Sequence, residues 1–174
     1  MDAALERARA LRLMAFDVDG VLTDGALHLT DGGEEMKSFH TLDGLGMKLL
    51  AGEGIELALI TGRTSRVVAK RAEELGISRL FQGADDKLAV LEALRTELGL
   101  PLSACGYMGD DLPDLPLLVR CGFAATVPDA PEAVRARAHY VSRRRGGQGA
   151  VREVCEVILA ARGALDGAIG RYLT

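Results

Sequence analysis

FDVDGVLTDG, residues 16–25, is the segment that decides the fold, because an apolar run ends in it and acidic residues follow at once. The run LMAFDV, residues 13–18, predicts a buried strand. Asp17 and Asp19 stand at the carboxyl end of that strand. In parallel α/β sheets, ligands bind at the carboxyl ends of the strands. The segment therefore marks both the first strand and one edge of a candidate binding site.

Short apolar runs and amphipathic stretches alternate along the rest of the chain. Further strands are predicted at 55–60, 79–83, 103–109, 122–127 and 139–142, and helices at 65–76, 85–100, 110–122, 130–138 and 150–163. Such alternation predicts an α/β fold, Rossmann-like and doubly wound, with a mainly parallel sheet and helices on both faces. We expect one domain over 1–174, with a C-terminal tail and helix over about 143–174.

A β-hairpin is predicted after the first strand. Segments 26–30 and 35–41 alternate in polarity on either side of Asp31-Gly32-Gly33, which is typical of a turn. The hairpin should span about 26–41. Asp43 follows it and is predicted to be the N-cap of the next helix.

Composition excludes several classes of protein. Among 174 residues the net charge is −4, which is unlike the basic surface of a nucleic-acid binder. No apolar run reaches the roughly 18 residues that span a bilayer, and the N-terminus lacks the pattern of a signal peptide. The three cysteines form no CxxC pair, so they predict buried small side chains rather than a zinc site. These features predict a cytoplasmic protein with no membrane or nucleic-acid partner.

Charged and polar residues follow four of the predicted strands and should meet at one edge of the sheet. The set is Asp17, Asp19, Thr61, Lys87, Asp110, Asp111 and Asp114. Each aspartate alone is more often a helix cap or turn residue than a ligand. Together they are hard to explain as caps, because clustered carboxylates repel one another and a hard cation such as Mg²⁺ relieves the repulsion. The lysine and the hydroxyl suit a phosphate group.

These residues resemble the four motifs of the haloacid dehalogenase superfamily over nearly the whole chain. The matches are AFDVDGVLTDG, Thr61 in LITGR, Lys87, and GDDLPD at 109–114. The resemblance implies that Asp17 is a nucleophile that becomes phosphorylated, and that Asp19 is the general acid and base. Superfamily ATPases carry Thr at the latter position, so Asp19 favours a phosphatase or a phosphomutase.

The resemblance also implies roles for the remaining motif residues. Mg²⁺ is expected on Asp17, on the backbone carbonyl of Asp19 and on Asp110. Thr61 and Lys87 should hold the phosphoryl oxygens. Asp111 should orient Lys87 or a metal-bound water, whereas Asp114 is either a supporting or a purely structural residue.

The gaps between the motifs are too short for a cap domain. A capless site predicts closure by a partner, and the chain resembles one capless subgroup, the 3-deoxy-D-manno-octulosonate 8-phosphate phosphatases. That resemblance rests on FHTLDGLGMKLL, QGADDK, YMGDDLPDLP and GGQGAVREVCEVIL. It implies a homotetramer in which a neighbour's hairpin packs at the active site and the Gly-rich C-terminal tail can cover it. The implied pathway is lipopolysaccharide sugar biosynthesis.

The subgroup resemblance also implies contacts to a phosphorylated sugar acid. Besides Asp19 and Lys87, the implied set is His40, Thr41, Leu42, Asp43, Gly44, Lys48, Arg63 and Arg71. Some members carry a basic residue where this chain has Leu42, so carboxylate binding there departs from the pattern. Lys48 and Arg71 are equally consistent with solvated surface charges.

Three other functions stay open from the residues. One is a phosphatase of a nine-carbon 2-keto-3-deoxy sugar acid 9-phosphate, which has the same parts. A non-catalytic assembly module of this fold and a phosphate-sensing binding protein are the others, although neither needs the complete motif set. The run Arg143-Arg144-Arg145 predicts an exposed turn, or a mobile tail that aids product release and whose truncation after Ser142 would alter turnover.

Overall fold

Six parallel strands form the central sheet of the computed structural model, which describes residues 2–173. The strands are β1 (Leu13–Phe16), β4 (Glu56–Ile60), β5 (Arg79–Phe81), β6 (Cys105–Met108), β7 (Phe123–Thr126) and β8 (Tyr140–Val141). Their order across the sheet is β5-β4-β1-β6-β7-β8. The chain moves outward from β1 through β4 to β5 and then returns to β6 on the other side of β1. This reversal of direction places a topological switch point beside β1, where such folds bind ligands.

Helices connect the strands and confirm the predicted α/β architecture. They are α1 (Asp2–Arg9), α2 (Thr41–Gly52), α3 (Arg66–Leu75), α4 (Lys87–Glu97), α5 (Leu115–Leu118), α6 (Glu132–Arg135), α7 (Ala150–Ala161) and α8 (Leu165–Gly170). The predicted helix over 110–122 is reduced to a 3₁₀ turn and the single turn α5, because Pro113 and Pro116 interrupt it. The sequence interpretation had not included α1 and α8.

The predicted hairpin is present but shorter than expected. Its strands, β2 (His28–Leu29) and β3 (Glu35–Met36), pair antiparallel and form a sheet of their own. We call residues 26–39 the hairpin arm. Three of its apolar side chains, Leu27, Leu29 and Met36, are at least half exposed.

The C-terminal region is a part of the core and not a mobile tail, which corrects one of the two readings of the segment after Ser142. Helix α7 packs on α2 and α1. Its buried apolar side chains include Val151, Val154, Cys155, Ile158 and Leu159. Gly146 and Gly147 lie directly against the loop after β1, where Gly147 N–H donates to Val21. Truncation after Ser142 would therefore unfold the protein rather than adjust turnover. Arg143, Arg144 and Arg145 form the exposed turn that the other reading predicted.

Asp43 does not cap α2, so that prediction is wrong. The N-cap of α2 is His40, whose Nδ1 accepts the N–H of Leu42 at 3.2 Å. Asp43 lies within α2, is 1% exposed, and accepts the N–H groups of Gly149 and Arg152 at the start of α7. It therefore caps a helix more than one hundred residues away in the sequence. Each of its oxygens accepts one of these N–H groups, and its expected role as a substrate contact stays a prediction.

Candidate active site

A cleft of about 530 Å³ opens at the carboxyl edge of the sheet, beside the switch point at β1. Every motif residue predicted for the site lines it. The motif residues in the lining are Asp17, Asp19, Thr61, Lys87, Asp110, Asp111 and Asp114. The structure therefore confirms the predicted position of these seven residues, which is one edge of the sheet.

We call Asp17, Lys87, Asp110 and Asp114 the cleft floor, and Asp17 and Lys87 form its centre. Asp17 directly follows β1, and its Oδ1 accepts the N–H of Val18 at 2.7 Å. Its Oδ2 lies 2.8 Å from Nζ of Lys87, the first residue of α4, and each residue is 7% exposed. Asp86 caps α4 by accepting the N–H of Ala89, which fixes the start of the helix and hence the position of Lys87. The lysine thus lies where a phosphoryl group on Asp17 would need a cation.

Asp114 holds this lysine, and Asp111 does not. Oδ1 of Asp114 accepts from Lys87 Nζ and from the Tyr107 hydroxyl, each at 2.7 Å. Its Oδ2 accepts the N–H groups of Asp110 and Asp111 at 2.9 and 3.1 Å. Asp111 is exposed and uses its own carboxylate to accept the N–H of Leu112. Asp114 therefore takes the orienting role that was expected of Asp111 toward Lys87. The other expected role of Asp111, to orient a metal-bound water, stays a prediction.

The carboxylates of the floor oppose one another's ionisation. Burial first, and then the charge of Asp114, raises the pKa of Asp17 to about 6, although Lys87 acts in the other direction. Burial, followed by Asp17 and Asp114, raises the pKa of Asp110 to about 7. Burial disfavours the charged form of Lys87, yet Asp17 and Asp114 raise its pKa above the ordinary value. The single lysine does not fully compensate the carboxylates, so the floor favours a further cation.

The residues present fit a magnesium ion. Asp17, Asp110 and Asp114 each place one oxygen within 4.8 Å of the others. Asp110 Oδ1 is buried and has no hydrogen-bond partner among the described residues, whereas both oxygens of Asp114 are fully used. Asp17 and Asp110 are therefore the side chains left for a cation that prefers oxygen ligands. Gly20 makes room for this arrangement, because a Cβ there would lie 2.0 Å from Asp110 Oδ2.

Thr61 forms the side of the cleft next to β4. It is 2% exposed, its N–H donates to the carbonyl of Phe81, and its carbonyl accepts the N–H of Ala84. Its hydroxyl oxygen accepts the N–H of Arg63 at 3.4 Å. The hydroxyl is thereby fixed at the strand end, at the wall of the cleft.

One residue of the hairpin arm, Lys37, reaches Asp19, and Glu35 beside it contacts both Lys37 and Arg63. The sequence interpretation missed Lys37 and Glu35. Lys37 Nζ donates to Asp19 Oδ1 and lies 3.1 Å from Glu35 Oε1. Arg63 Nη2 donates to the same oxygen of Glu35 at 3.2 Å, and Arg63 Nε lies 3.8 Å from Asp19 Oδ2. Ser65, together with Lys37 and Arg63, lowers the pKa of Glu35. The sequence contains a signal only for the pair itself, because Glu35 and Lys37 are alternate residues and such residues share one face of an extended segment. It contains none for the contact with Asp19.

Most of the other predicted substrate contacts lie away from the cleft of their own chain. Within residues 2–173, only Arg63 of the set from His40 to Arg71 lines it. Thr41, Leu42 and Lys48 are exposed, and Arg71 stacks over the Phe39 ring at 5.7 Å and pairs with Glu74. Gly44 leaves space for that arginine, since a Cβ would lie 2.4 Å from its Nη2.

The fold and the cleft define a class of protein. Strand-end carboxylates, a hydroxyl and a buried lysine on a doubly wound sheet are the arrangement of a haloacid dehalogenase superfamily hydrolase without a cap. A solved structure from Legionella pneumophila, described as a hydrolase of this superfamily (subfamily III A), matches with a TM-score of 0.95 and 44% identity over 99% of this chain and 95% of that one. No protein-family model matches the chain.

Two further comparisons identify the family. A curated relative from Yersinia pestis, 3-deoxy-D-manno-octulosonate 8-phosphate phosphatase KdsC, is 43% identical over 97% of this chain and 90% of its own. The Moraxella catarrhalis phosphatase of that name, solved with a magnesium ion, a phosphate ion and a KDO molecule, has a TM-score of 0.97 and 47% identity over 99% of both chains. The chain belongs to the 3-deoxy-D-manno-octulosonate 8-phosphate phosphatase family.

Proposed function

We infer that this chain is a magnesium-dependent phosphatase that releases phosphate from 3-deoxy-D-manno-octulosonate 8-phosphate (KDO 8-phosphate). The observation that carries the inference is the meeting of Asp17, Thr61, Lys87 and Asp110 in one cleft at the switch point of the sheet. This substrate is a phosphorylated sugar acid of the lipopolysaccharide pathway. Relatives that are named as phosphatases of KDO 8-phosphate match nearly the whole chain.

The proposed reaction has two steps, and Asp17 takes part in both. Its carboxylate attacks phosphorus and forms an aspartyl-phosphate, while Asp19 gives its proton to the departing sugar alkoxide. Asp19 then removes a proton from water, which attacks the phosphorus and releases inorganic phosphate from Asp17. The two steps return both carboxylates to their starting state.

Neighbouring residues supply charge for both steps. Lys87 and the Thr61 hydroxyl hold phosphoryl oxygens, and Asp114 keeps the lysine in place. Mg²⁺, when held by Asp17, Asp110 and the carbonyl of Asp19, would neutralise phosphoryl charge and orient the group for in-line attack.

We also propose that the protein is a homotetramer in which a neighbour's hairpin arm closes the cleft. Support comes from Leu27, Leu29 and Met36, which are 52%, 62% and 63% exposed in one protomer. His40, Thr41, Leu42, Lys48 and Arg71 would then reach the substrate of a neighbouring subunit, because none of these described residues lines the cleft of its own chain.

The whole chain is proposed to act as one catalytic domain in the cytoplasm. The only sheet separate from the central one in residues 2–173 is the two-stranded arm. None of the helices within that range is long and apolar enough to cross a membrane. The three cysteines are free and buried, as expected in a reducing compartment.

A phosphate-release assay tests the activity. KDO 8-phosphate, a nine-carbon 2-keto-3-deoxy sugar acid 9-phosphate and glucose 6-phosphate would each be assayed with Mg²⁺ and with EDTA. We expect the highest kcat/KM on KDO 8-phosphate and no turnover in EDTA. Preference for the nine-carbon acid would change the substrate assignment, and no metal-dependent release from any of them would overturn the enzyme assignment.

A further inference from the structure

The buried ammonium group of the hairpin arm has no role in the two steps described above, yet it is bonded to the general acid. The Lys37 side chain is 1% exposed in one protomer, and its ammonium donates to Asp19 Oδ1. Burying a lysine is costly unless the charge is paired. Lys37 is paired with two carboxylates, Asp19 and Glu35.

Lys37 contacts Asp19 but does not line the cleft of its own chain. In the part of the chain that the structure describes, Asp19 and Arg63 line the cleft, whereas Lys37 does not. A direct contact between this ammonium and the substrate is therefore not available in one protomer. Within its own chain the lysine contacts the cleft lining directly at Asp19, and its second partner, Glu35, contacts Arg63.

The bond also distinguishes the two oxygens of Asp19. Oδ1 is held by Lys37, and Oδ2 lies 3.8 Å from Arg63 Nε, beyond hydrogen-bond distance. Glu35 keeps the lysine in place, because the same Oε1 that pairs with Lys37 also accepts from Arg63 at 3.2 Å. The carboxylate is thus fixed at one oxygen and presents the other, Oδ2, for proton transfer.

We propose that Lys37 is a positioning residue, which orients the Asp19 carboxylate so that Oδ2 meets the leaving oxygen of the sugar. The proposal rests on the proposed function, because it assumes that Asp19 protonates the leaving group. Glu35 and Lys37, at the base of the hairpin arm, would then assist proton transfer in their own chain. This role is separate from the closure of a neighbour's cleft that is proposed for the arm.

Two substrates with different leaving groups test this role. A sugar alkoxide must receive a proton as it departs, whereas 2,4-dinitrophenolate is a stable anion and departs without one. The value of kcat/KM reports the steps up to departure of the leaving group. Lys37→Met, which keeps the length of the side chain and removes its charge, should lower kcat/KM for KDO 8-phosphate by about 10- to 100-fold. The same variant should lower kcat/KM for 2,4-dinitrophenyl phosphate by less than about threefold.

A double variant tests whether the lysine acts through Asp19. Asp19→Asn should show the same dependence on the leaving group with a larger loss, about 100-fold or more on the sugar phosphate. Adding Lys37→Met to Asp19→Asn should then change kcat/KM by no more than about twofold, since residues that act as a unit are not additive. The matched control is Lys70→Met on α3, where the lysine is exposed, and it should leave both substrates unaffected.

The outcomes separate this proposal from the proposed function. If the wild type hydrolyses neither phosphate ester, the proposed function fails and the role of Lys37 fails with it. If the wild type is active but Lys37→Met lowers kcat/KM equally for both esters, the lysine only supports the fold of the arm. No change for either ester, or an undiminished further loss in the Asp19→Asn background, would equally overturn the proposal.

Discussion

The cleft floor and the hairpin arm are built in contrasting ways. Asp17 and Lys87 are 7% exposed and Asp114 is 0% exposed, and Asp114 alone accepts four hydrogen bonds. The arm instead has strands of two residues each and leaves Leu27, Leu29 and Met36 at least half exposed.

This difference indicates that the floor and the arm contribute to different parts of the function. The floor is complete within one chain, because the segments that follow the strands of a single sheet supply all of its groups. The arm is complete only at its base, where Glu35 and Lys37 meet Asp19 and Arg63. We therefore expect changes in the floor to alter phosphoryl chemistry and folding stability, and changes in the arm to alter the leaving-group side and assembly.

The largest expected effect comes from Asp17, the proposed nucleophile. Asp17→Asn keeps the shape of the side chain but removes the attacking oxyanion, so we expect turnover of KDO 8-phosphate to fall by at least about a thousandfold. Circular dichroism should show an unchanged fold. Asp166→Asn, on the exposed surface of α8, is the matched control and should retain full activity. Normal turnover by Asp17→Asn would show that the floor does not supply the nucleophile.

The next effect separates the two aspartates that follow Asp110. In Asp114→Asn an amide NH₂ replaces one oxygen that accepts hydrogen bonds, so two donors face each other, and the charge that pairs with Lys87 is lost. We expect the free energy of unfolding to fall by about 3 kcal/mol, as for other broken buried ion pairs. Asp111→Asn changes an exposed cap and should cost no more than about 1 kcal/mol. Urea unfolding of both variants checks this. Equal losses would mean that Asp114 is not the structural centre of the floor.

Much of the cleft, but little of the arm, was predictable from the sequence. Asp17, Thr61, Lys87 and Asp110 follow strands, and parallel strands bring their ends together whatever the loops do. The spacing between Asp111 and Asp114 does not reveal which carboxylate turns inward, and that depends on the 3₁₀ turn between them. The missed contact between Lys37 and Asp19 depends on how the arm folds back on the chain, which no local pattern encodes.

Asp43 gives the same lesson for the helices. A cap predicted from sequence is assigned to the nearest helix, because local spacing is all that the pattern contains. The true partners of Asp43 are Gly149 and Arg152 on α7, brought close by the packing of α2 on α7. Its burial raises its pKa, although the two bonded N–H groups oppose that rise. Long-range caps of this kind follow from tertiary structure and not from the order of residues.

A smaller effect concerns the pH dependence of the floor. The pKa of Asp110 is raised from 3.8 to about 7, so the native protein binds more protons than the unfolded chain between these values. The stability of metal-free protein should therefore fall as pH rises from about 4 to 7, and Asp17 acts in the same direction. We expect Tm in EDTA to be at least about 3 °C lower at pH 8 than at pH 5.5.

Magnesium should reverse this trend, because a cation replaces the protons on the floor. The rise in Tm on adding Mg²⁺ should be larger at pH 8 than at pH 5.5, where protons compete for the same oxygens. Asp110→Asn is the control, and it should flatten the pH dependence and remove most of the magnesium effect. A magnesium effect that is independent of pH, or that survives in Asp110→Asn, would place the ion elsewhere.

The smallest effect on the fold is expected at the tip of the arm, where assembly should change instead. In the register of the hairpin, Leu29 is opposite Glu35 and Met36 is opposite His28, so the two apolar side chains lie on different faces of the ribbon. A two-stranded ribbon is marginally stable alone, and apolar groups on both faces indicate that a partner covers both. The variant that combines Leu29→Ser with Met36→Ser removes both groups and keeps Lys37.

Sedimentation of this double variant should show a loss of tetramer, while the circular dichroism spectrum stays unchanged. Exposed substitutions usually change protomer stability by no more than about 0.5 kcal/mol each, so a loss of assembly would not reflect unfolding. Val119→Ser is the matched control, because Val119 is 54% exposed but lies next to α5, outside the arm. We expect the KM for KDO 8-phosphate to rise in the double variant only. A tetramer that persists in the double variant, or a wild type that is monomeric, would separate the arm from assembly and leave its base, with Lys37 on Asp19, as its contribution to the site.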